Sequence, residues 1–139
     1  CHLERNRAPF PAQIAGIRTN QKSYEDAGRW LKQNTPPEAT VAAHEIGIIG
    51  YFSDRRIIDL EGLVSPQVVK LKQEHPHSNL LQLTRPDYFV HPFHTAELTP
   101  QHPVITSARE AGMSEAVRLP WHDTPWDDGQ TIIFASDSR

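Results

Sequence analysis

The sequence predicts a single-domain α/β fold: a mixed sheet with a parallel core, helices packed on it and a C-terminal pair of antiparallel strands. Short apolar runs alternate with segments of helical periodicity, which is the pattern of strands connected by helices. The chain has 139 residues, a length that favours one domain. Residues 1–20 lack clear periodicity, so we expect a lead-in segment at 1–22, followed by a domain at 23–139.

The first predicted element is a helix that begins near Ser23. This serine is a suitable N-cap. Apolar side chains then recur at helical spacing, at Tyr24, Ala27, Trp30 and Leu31. Two consecutive prolines end the helix.

The next elements form a strand–helix–strand unit. Thr40–Ala43 and Arg56–Leu60 are short apolar runs that predict buried strands, and Ile46–Phe52 between them predicts a short helical connection. Such a connection favours parallel pairing of the two strands.

Further along, Ser65-Pro66 predicts a helix with a serine cap, and Ser78–Leu83 predicts another short helix. Tyr88-Phe89-Val90 predicts a third strand. The His- and Pro-rich segment His91–Pro103 predicts a loop, and Val104–Ser107 a short strand.

The C-terminal part predicts the antiparallel pair. Glu115–Leu119 alternates between polar and apolar residues, and Thr131–Ser136 is the closing strand. The aromatic and acidic segment Trp121–Gly129 is expected to connect them.

Composition excludes several classes of function. A net charge of −3 and the absence of interleaved basic and aromatic runs give no electrostatic case for nucleic acid or an anionic membrane. The single cysteine, Cys1, excludes an internal disulfide and a cysteine-based zinc site. Phosphate loops of the Walker type and nucleophile elbows are absent from the sequence, and we expect no cofactor.

No run approaches the roughly 18 apolar residues that cross a bilayer. The chain does not begin with Met, and we expect it to be a piece of a longer protein.

One segment carries a family resemblance. It reads Ile-Gly-x-x-Gly-Tyr and then an apolar strand that ends Asp-x-x-Gly-Leu; the matching residues are Ile46, Gly47, Gly50, Tyr51, Asp59, Gly62 and Leu63. Over roughly Ser23–Val90 the chain resembles the C-terminal soluble domain of bacterial C-type membrane glycosyltransferases, the protein mannosyltransferase and aminoarabinose transferase group.

This resemblance implies that the domain is not catalytic by itself. It implies an accessory domain on the extracytoplasmic face of the membrane, attached through a missing N-terminal region. The domain would help to recognise an acceptor glycan or a polyprenyl-phosphate sugar. The alternatives are a free-standing α/β module that binds a carbohydrate or nucleotide, and a hydrolase that uses Asp59, Glu61 or His44.

Candidate ligand contacts come from the strand ends, where α/β folds place their sites. His44 and Glu45 follow the first strand; alternatively, Glu45 favours the following helix N-terminus. Tyr51 is suited to stacking on a sugar ring, or to a core position. Asp59 forms a carboxylate pair with Glu61, or caps the following turn.

Two tryptophans and three histidines complete the candidates. Trp121 and Trp126 lie among acidic residues, a combination typical of sugar binding, although their rings also suit a plug at the sheet edge. His91, His94 and His102 are expected to be solvated loop residues, because Pro92 disfavours a helical metal site. We expect no metal.

Overall fold

Helices and strands mostly alternate along the described part of the chain. The computed structural model describes residues 12–61, 66–121 and 128–137. Within these ranges the elements are α1 (Ala12–Asn34), β1 (Thr40–Ala43), α2 (Gly47–Ser53), β2 (Arg56–Asp59), α3 (Pro66–Glu74), α4 (Leu80–Thr84), β3 (Tyr88–His94), a 3₁₀ turn (Thr95–Glu97), α5 (Pro103–Glu110), β4 (Met113–Pro120) and β5 (Gly129–Ser136).

The five strands form one sheet in the order β2-β1-β3-β5-β4. β1 pairs in parallel with both β2 and β3, and β5 lies antiparallel between β3 and β4. The predicted fold class is therefore confirmed: a mixed sheet with a parallel core and a C-terminal antiparallel pair.

Both faces of the sheet are buried. Val41 and Ala43 of β1 lie in a core with Ala27 and Leu31 of α1 and Ile49 of α2. The intervening residue of β1 points to the other face. There the core contains Ala42, Leu81, Phe89, Phe93 and Ala108, the second from α4 and the last from α5. This arrangement explains why β1 is apolar at nearly every position.

The first helix begins earlier than the sequence predicts. α1 starts at Ala12, and Ser23, expected as its N-cap, lies inside it. Ser23 is buried, and its Oγ lies 2.7 Å from Oγ1 of Thr131 on β5. The cap prediction is wrong because this serine bonds to the sheet. Residues 12–22 of the expected lead-in are helical, while the domain boundary itself stays a prediction.

Two predictions around β3 are also wrong. β3 does not end at Val90 but continues to His94, so His91–His94 are strand residues. β1 ends at Ala43, opposite Val90, so Pro92 lies where a missing N–H breaks no bond to β1.

The segment predicted as a strand at Val104–Ser107 lies in α5. Nδ1 of His102 accepts a hydrogen bond from the Val104 N–H at 3.1 Å, and Pro103 is the first helical residue. These are the capping signals that override the β propensity of the segment.

Candidate functional site

A cleft of about 280 Å³ lies at the carboxyl edge of the parallel strands. It is bounded by the residues after β1 and β2 and by the first turns of α4 and α5. The described residues that line it are His44, Leu60, Ser78, Asn79, Leu80, Leu81, Phe89, Pro103, Val104 and Ser107. Its floor is apolar and aromatic, and its rim carries hydroxyl, amide and imidazole groups.

The cleft lies where the strand order reverses. From β1 the chain passes through α2 to β2 on one side, whereas from β3 it passes through α5 towards β4 on the other side. Connections that leave in opposite directions open a crevice between the carboxyl ends of the two strands, and ligands of open α/β sheets bind there.

His44 and Glu61 form a dyad at the rim of the cleft. They follow β1 and β2, which are adjacent and parallel, so both side chains reach the same edge of the sheet. Nδ1 of His44 lies 2.5 Å from Oε2 of Glu61. A carboxylate only accepts, so Nδ1 carries the proton that it donates and Nε2 of the neutral ring is an acceptor.

His91 lies beside this dyad on β3. Its ring centroid lies 5.5 Å from that of His44, in an edge-to-face arrangement, and between the rings of Phe89 and Phe93 at 5.8 and 5.0 Å. Nδ1 of His91 is buried without a hydrogen-bond partner among the described residues. Burial, with smaller contributions from the nearby His44 and His102, lowers the pKa of His91 to about 4.

Asn79 joins the two helices that form the walls. Its Oδ1 accepts a hydrogen bond from the Leu81 N–H at 3.0 Å and so caps α4. Its Nδ2 donates to the carbonyl of Ser107, on α5, at 2.8 Å. One side chain therefore fixes the separation of α4 and α5 at the cleft.

We expect Asn79→Ala to lower the free energy of unfolding by about 1–2 kcal/mol, because it removes a helix cap and an inter-helix hydrogen bond. Asn79→Asp keeps the cap but loses the donor to Ser107, so its loss should be smaller. Urea unfolding of both variants measures the difference. An alanine variant as stable as the wild type would contradict this account.

Glu45 and Asp59 lie outside the cleft lining. Oε1 of Glu45 accepts the Ile48 N–H at 3.4 Å, at the start of α2. Burial, with a smaller contribution from the charge of Glu45, raises the pKa of Tyr24, on α1, to about 12. Glu45 therefore lies near α1. Asp59 is 0% exposed, and its Oδ1 accepts the Glu61 N–H at 2.9 Å, which shapes the turn after β2.

The aromatic candidates lie elsewhere. Tyr51 is 80% exposed on α2, with its ring 5.0 Å from that of Phe52. Trp121 follows β4; its Nε1 donates to Oγ1 of Thr131 at 3.3 Å, and its ring lies 4.9 Å from that of His94. Trp126 lies outside the described residues. Among the predicted contacts that the structure describes, His44 alone lines the cleft.

The structure adds His91, His102 and Asn79 to the surroundings of the cleft. Sequence reasoning placed the two histidines in a solvated loop. The strand-like spacing of Phe89, His91 and Phe93 is the signal that identifies one face of a longer β3. The His-Pro pair at 102–103 is the corresponding signal for the start of α5.

Two larger clefts are less suited to ligand chemistry. One of about 400 Å³ lies at the opposite edge of the sheet, beside Arg85, Asp87 and Ser136, and one of about 390 Å³ lies between α5 and β4. Neither lies at the carboxyl ends of β1 and β3. Within the described ranges, no group of three or more His, Cys, Asp or Glu is placed to hold a metal. Among the helices described, none is long and apolar enough to span a membrane.

Comparison with known proteins gives one family and one structural likeness. The model of the family described as Domain of unknown function (DUF8728) matches residues 12–131. Curated proteins gave no significant match. The chain is similar in structure to a crystal structure of magnesium protoporphyrin IX methyltransferase (ChlM) from Synechocystis PCC 6803 with bound SAM, with a TM-score of 0.56 and 10% identity. The likeness covers 98% of this chain and 89% of the methyltransferase.

These findings correct the family prediction. The matched family is DUF8728 and the structural likeness is to a methyltransferase, so membership of the C-type glycosyltransferases is wrong. The accessory-domain function that this membership implied is wrong with it. The expected extracytoplasmic location and the glycan or polyprenyl-phosphate partners are not tested by these matches and stay predictions.

Proposed function

We propose that this chain, which belongs to the DUF8728 family, is a binding module for a nucleoside-type small molecule or cofactor. The observation that carries the proposal is the cleft between α4 and α5, at the point where the strand order reverses. Ligand clefts in α/β proteins combine this position with an apolar lining and a few polar groups.

The lining fits a flat ring with polar substituents. Leu80, Pro103 and Val104 line the cleft, remain at least partly exposed and present apolar surface to a ring, and the imidazole of His44 lies at the rim. Ser78 and Ser107 supply hydroxyl groups that donate or accept hydrogen bonds. A volume of about 280 Å³ is near the lower limit of typical ligand clefts, about 300 Å³, and suits a nucleoside better than a larger dinucleotide.

The charge of the lining narrows the class further. None of the described residues that line the cleft is Lys or Arg. Polyphosphates are usually bound by such cations, by glycine-rich loops or by bound metal ions. We therefore expect a nucleoside or a related cofactor of low negative charge to bind better than a nucleoside triphosphate.

The fold likeness supports the same class. The similar methyltransferase was solved with bound SAM, which is an adenosine derivative. At 10% identity the likeness is one of fold, and one fold supports many functions. It therefore guides the choice of probes, while the chemistry of the cleft carries the proposal. The predicted ligand contacts by Glu45, Tyr51, Asp59, Trp121 and Trp126 are not tested and stay predictions. The first four do not line the cleft.

The test is calorimetric titration of the chain with adenosine, SAM, ATP and glucose. We expect saturable binding of adenosine or SAM, at least about tenfold tighter than that of ATP or glucose. Ser78→Trp fills the cleft and should weaken this binding by about tenfold or more. Gln73→Trp adds the same ring on the exposed side of α3 and should leave binding unchanged. Absence of saturable binding by both adenosine and SAM, or equal binding by the Ser78→Trp protein, would refute the proposal.

A further inference from the structure

We infer that His44 and Glu61 form a hydrogen-bond-accepting dyad, in which Nε2 of His44 accepts a hydrogen bond from a ribose 2′- or 3′-hydroxyl of the bound nucleoside and Glu61 positions the ring. The inference deepens the proposed function and rests on it for the presence of a ligand. His44 is the group that recognises the ligand hydroxyl. Glu61 lies outside the cleft lining and orients the His44 ring.

The hydrogen bond between the two side chains determines the tautomer of His44. The Nδ1–Oε2 distance of 2.5 Å joins a nitrogen of His44 to an obligate acceptor on Glu61. The bond therefore selects one tautomer of neutral His44, with the proton on Nδ1. The same arrangement, a carboxylate that orients an imidazole, prepares histidines for proton transfer in unrelated proteins.

The ring of His44 is accessible from the cleft. The side chain of His44 is 39% exposed, and His44 is part of the cleft lining. A ligand in the cleft therefore reaches the ring without rearrangement of the core. Glu61 is 51% exposed and follows a different strand, so the dyad depends on the parallel register of β1 and β2.

The two neighbouring histidines, His91 and His102, do not compete for this role. His102 uses Nδ1 to accept the Val104 N–H and cap α5. His91, on β3, has its Nδ1 buried away from solvent. Of these three histidines, His44 is the one whose ring combines an orienting carboxylate with a place in the cleft lining.

The first test reads the tautomer of His44 in the free chain. Two-bond ¹H–¹⁵N spectra are recorded at about pH 8, above the ordinary histidine pKa of about 6.5. We expect the Nδ1–H form of His44 in the wild type. Glu61→Ala and Glu61→Gln should both shift His44 to a mixture of tautomers, because alanine has no acceptor and the glutamine amide can donate as well as accept. Glu74→Ala, at an exposed position of α3, is the matched control and should change nothing.

The second test uses a hydroxyl-deleted ligand. Adenosine and 2′,3′-dideoxyadenosine are titrated into the wild type and into His44→Ala. We expect dideoxyadenosine to bind the wild type about tenfold more weakly than adenosine, and the His44→Ala protein to lose most of this difference.

The outcomes separate the two proposals. A wild-type His44 in the Nε2–H form overturns the dyad whatever binds. Equal wild-type affinity for adenosine and its dideoxy form overturns the acceptor role of His44. If adenosine does not bind but the tautomer series behaves as expected, the nucleoside proposal fails while the oriented dyad stands.

Discussion

Replacement of Gly28 by alanine is expected to lower the free energy of unfolding by about 1–3 kcal/mol, because α1 and α2 touch at this position. A Cβ on residue 28 would lie 2.7 Å from Cβ of Phe52, 3.1 Å from the amide nitrogen of Ser53 and 3.2 Å from the carbonyl oxygen of Ile49. These are backbone atoms or the first side-chain carbon, so no flexible end can move aside. The two helices must separate, and the core on that face of the sheet then loses contacts.

Gly47→Ala is the matched control for this prediction. Gly47 is also helical, but a Cβ there would meet only Oε1 of Glu45, at 3.8 Å. Alanine favours the helix over glycine by roughly 0.5–1 kcal/mol, so this variant should be as stable as the wild type or slightly more stable. Urea unfolding followed by circular dichroism gives both values. A Gly28→Ala protein as stable as Gly47→Ala would show that the helix crossing tolerates a methyl group.

The parallel part of the sheet could be predicted because its sequence signal is local. β1 is buried on both faces, and such a strand is a continuous apolar run in any context. His44 follows that run directly, so its position at the carboxyl edge could be predicted too. The dyad with Glu61 was harder to predict, because it depends on the exact register between β1 and β2.

The remainder of the site could not be predicted because tertiary contacts decide it. β3 contains Pro92, which normally ends a strand, and it continues only because β1 has already ended. The β-branched residues at 104–106 favour a strand in isolation, but capping and packing against the sheet make them helical. The wrong end of β3 and the wrong strand at 104–107 had the same consequence. The sequence did not show that His91 and His102 face the same region of the structure.

His91 occupies an unfavourable environment for a polar side chain. Its Nδ1 is buried without a hydrogen-bond partner among the described residues, and such groups in native proteins are few. The apolar rings of Phe89 and Phe93 on both sides offer no hydrogen bond to it. The fold therefore disfavours the charged form of this imidazole, and stability should depend on pH through it.

We expect His91 to make the chain less stable by roughly 2–3 kcal/mol at about pH 4.5 than at about pH 7, because burial lowers its pKa to about 4. Between pH 6.5 and 4 the unfolded chain binds a proton at this residue and the folded chain does not. The contribution is therefore fully present above pH 6.5 and is lost as the pH falls towards 4. His44 and His102 lie near the ring, so their charge at low pH acts in the same direction.

The measurement compares urea unfolding at both pH values for the wild type and for His91→Phe, which keeps an aromatic ring between Phe89 and Phe93. We expect the loss between the two pH values to be smaller in the variant by that amount. His77→Gln changes an exposed histidine and should keep the wild-type dependence. If His91→Phe does not fold, an NMR titration of His91 in the wild type decides the matter. A measured pKa near 6.5 would show that the folded chain accepts the charged ring without cost, and the pH dependence would then have to come from other groups.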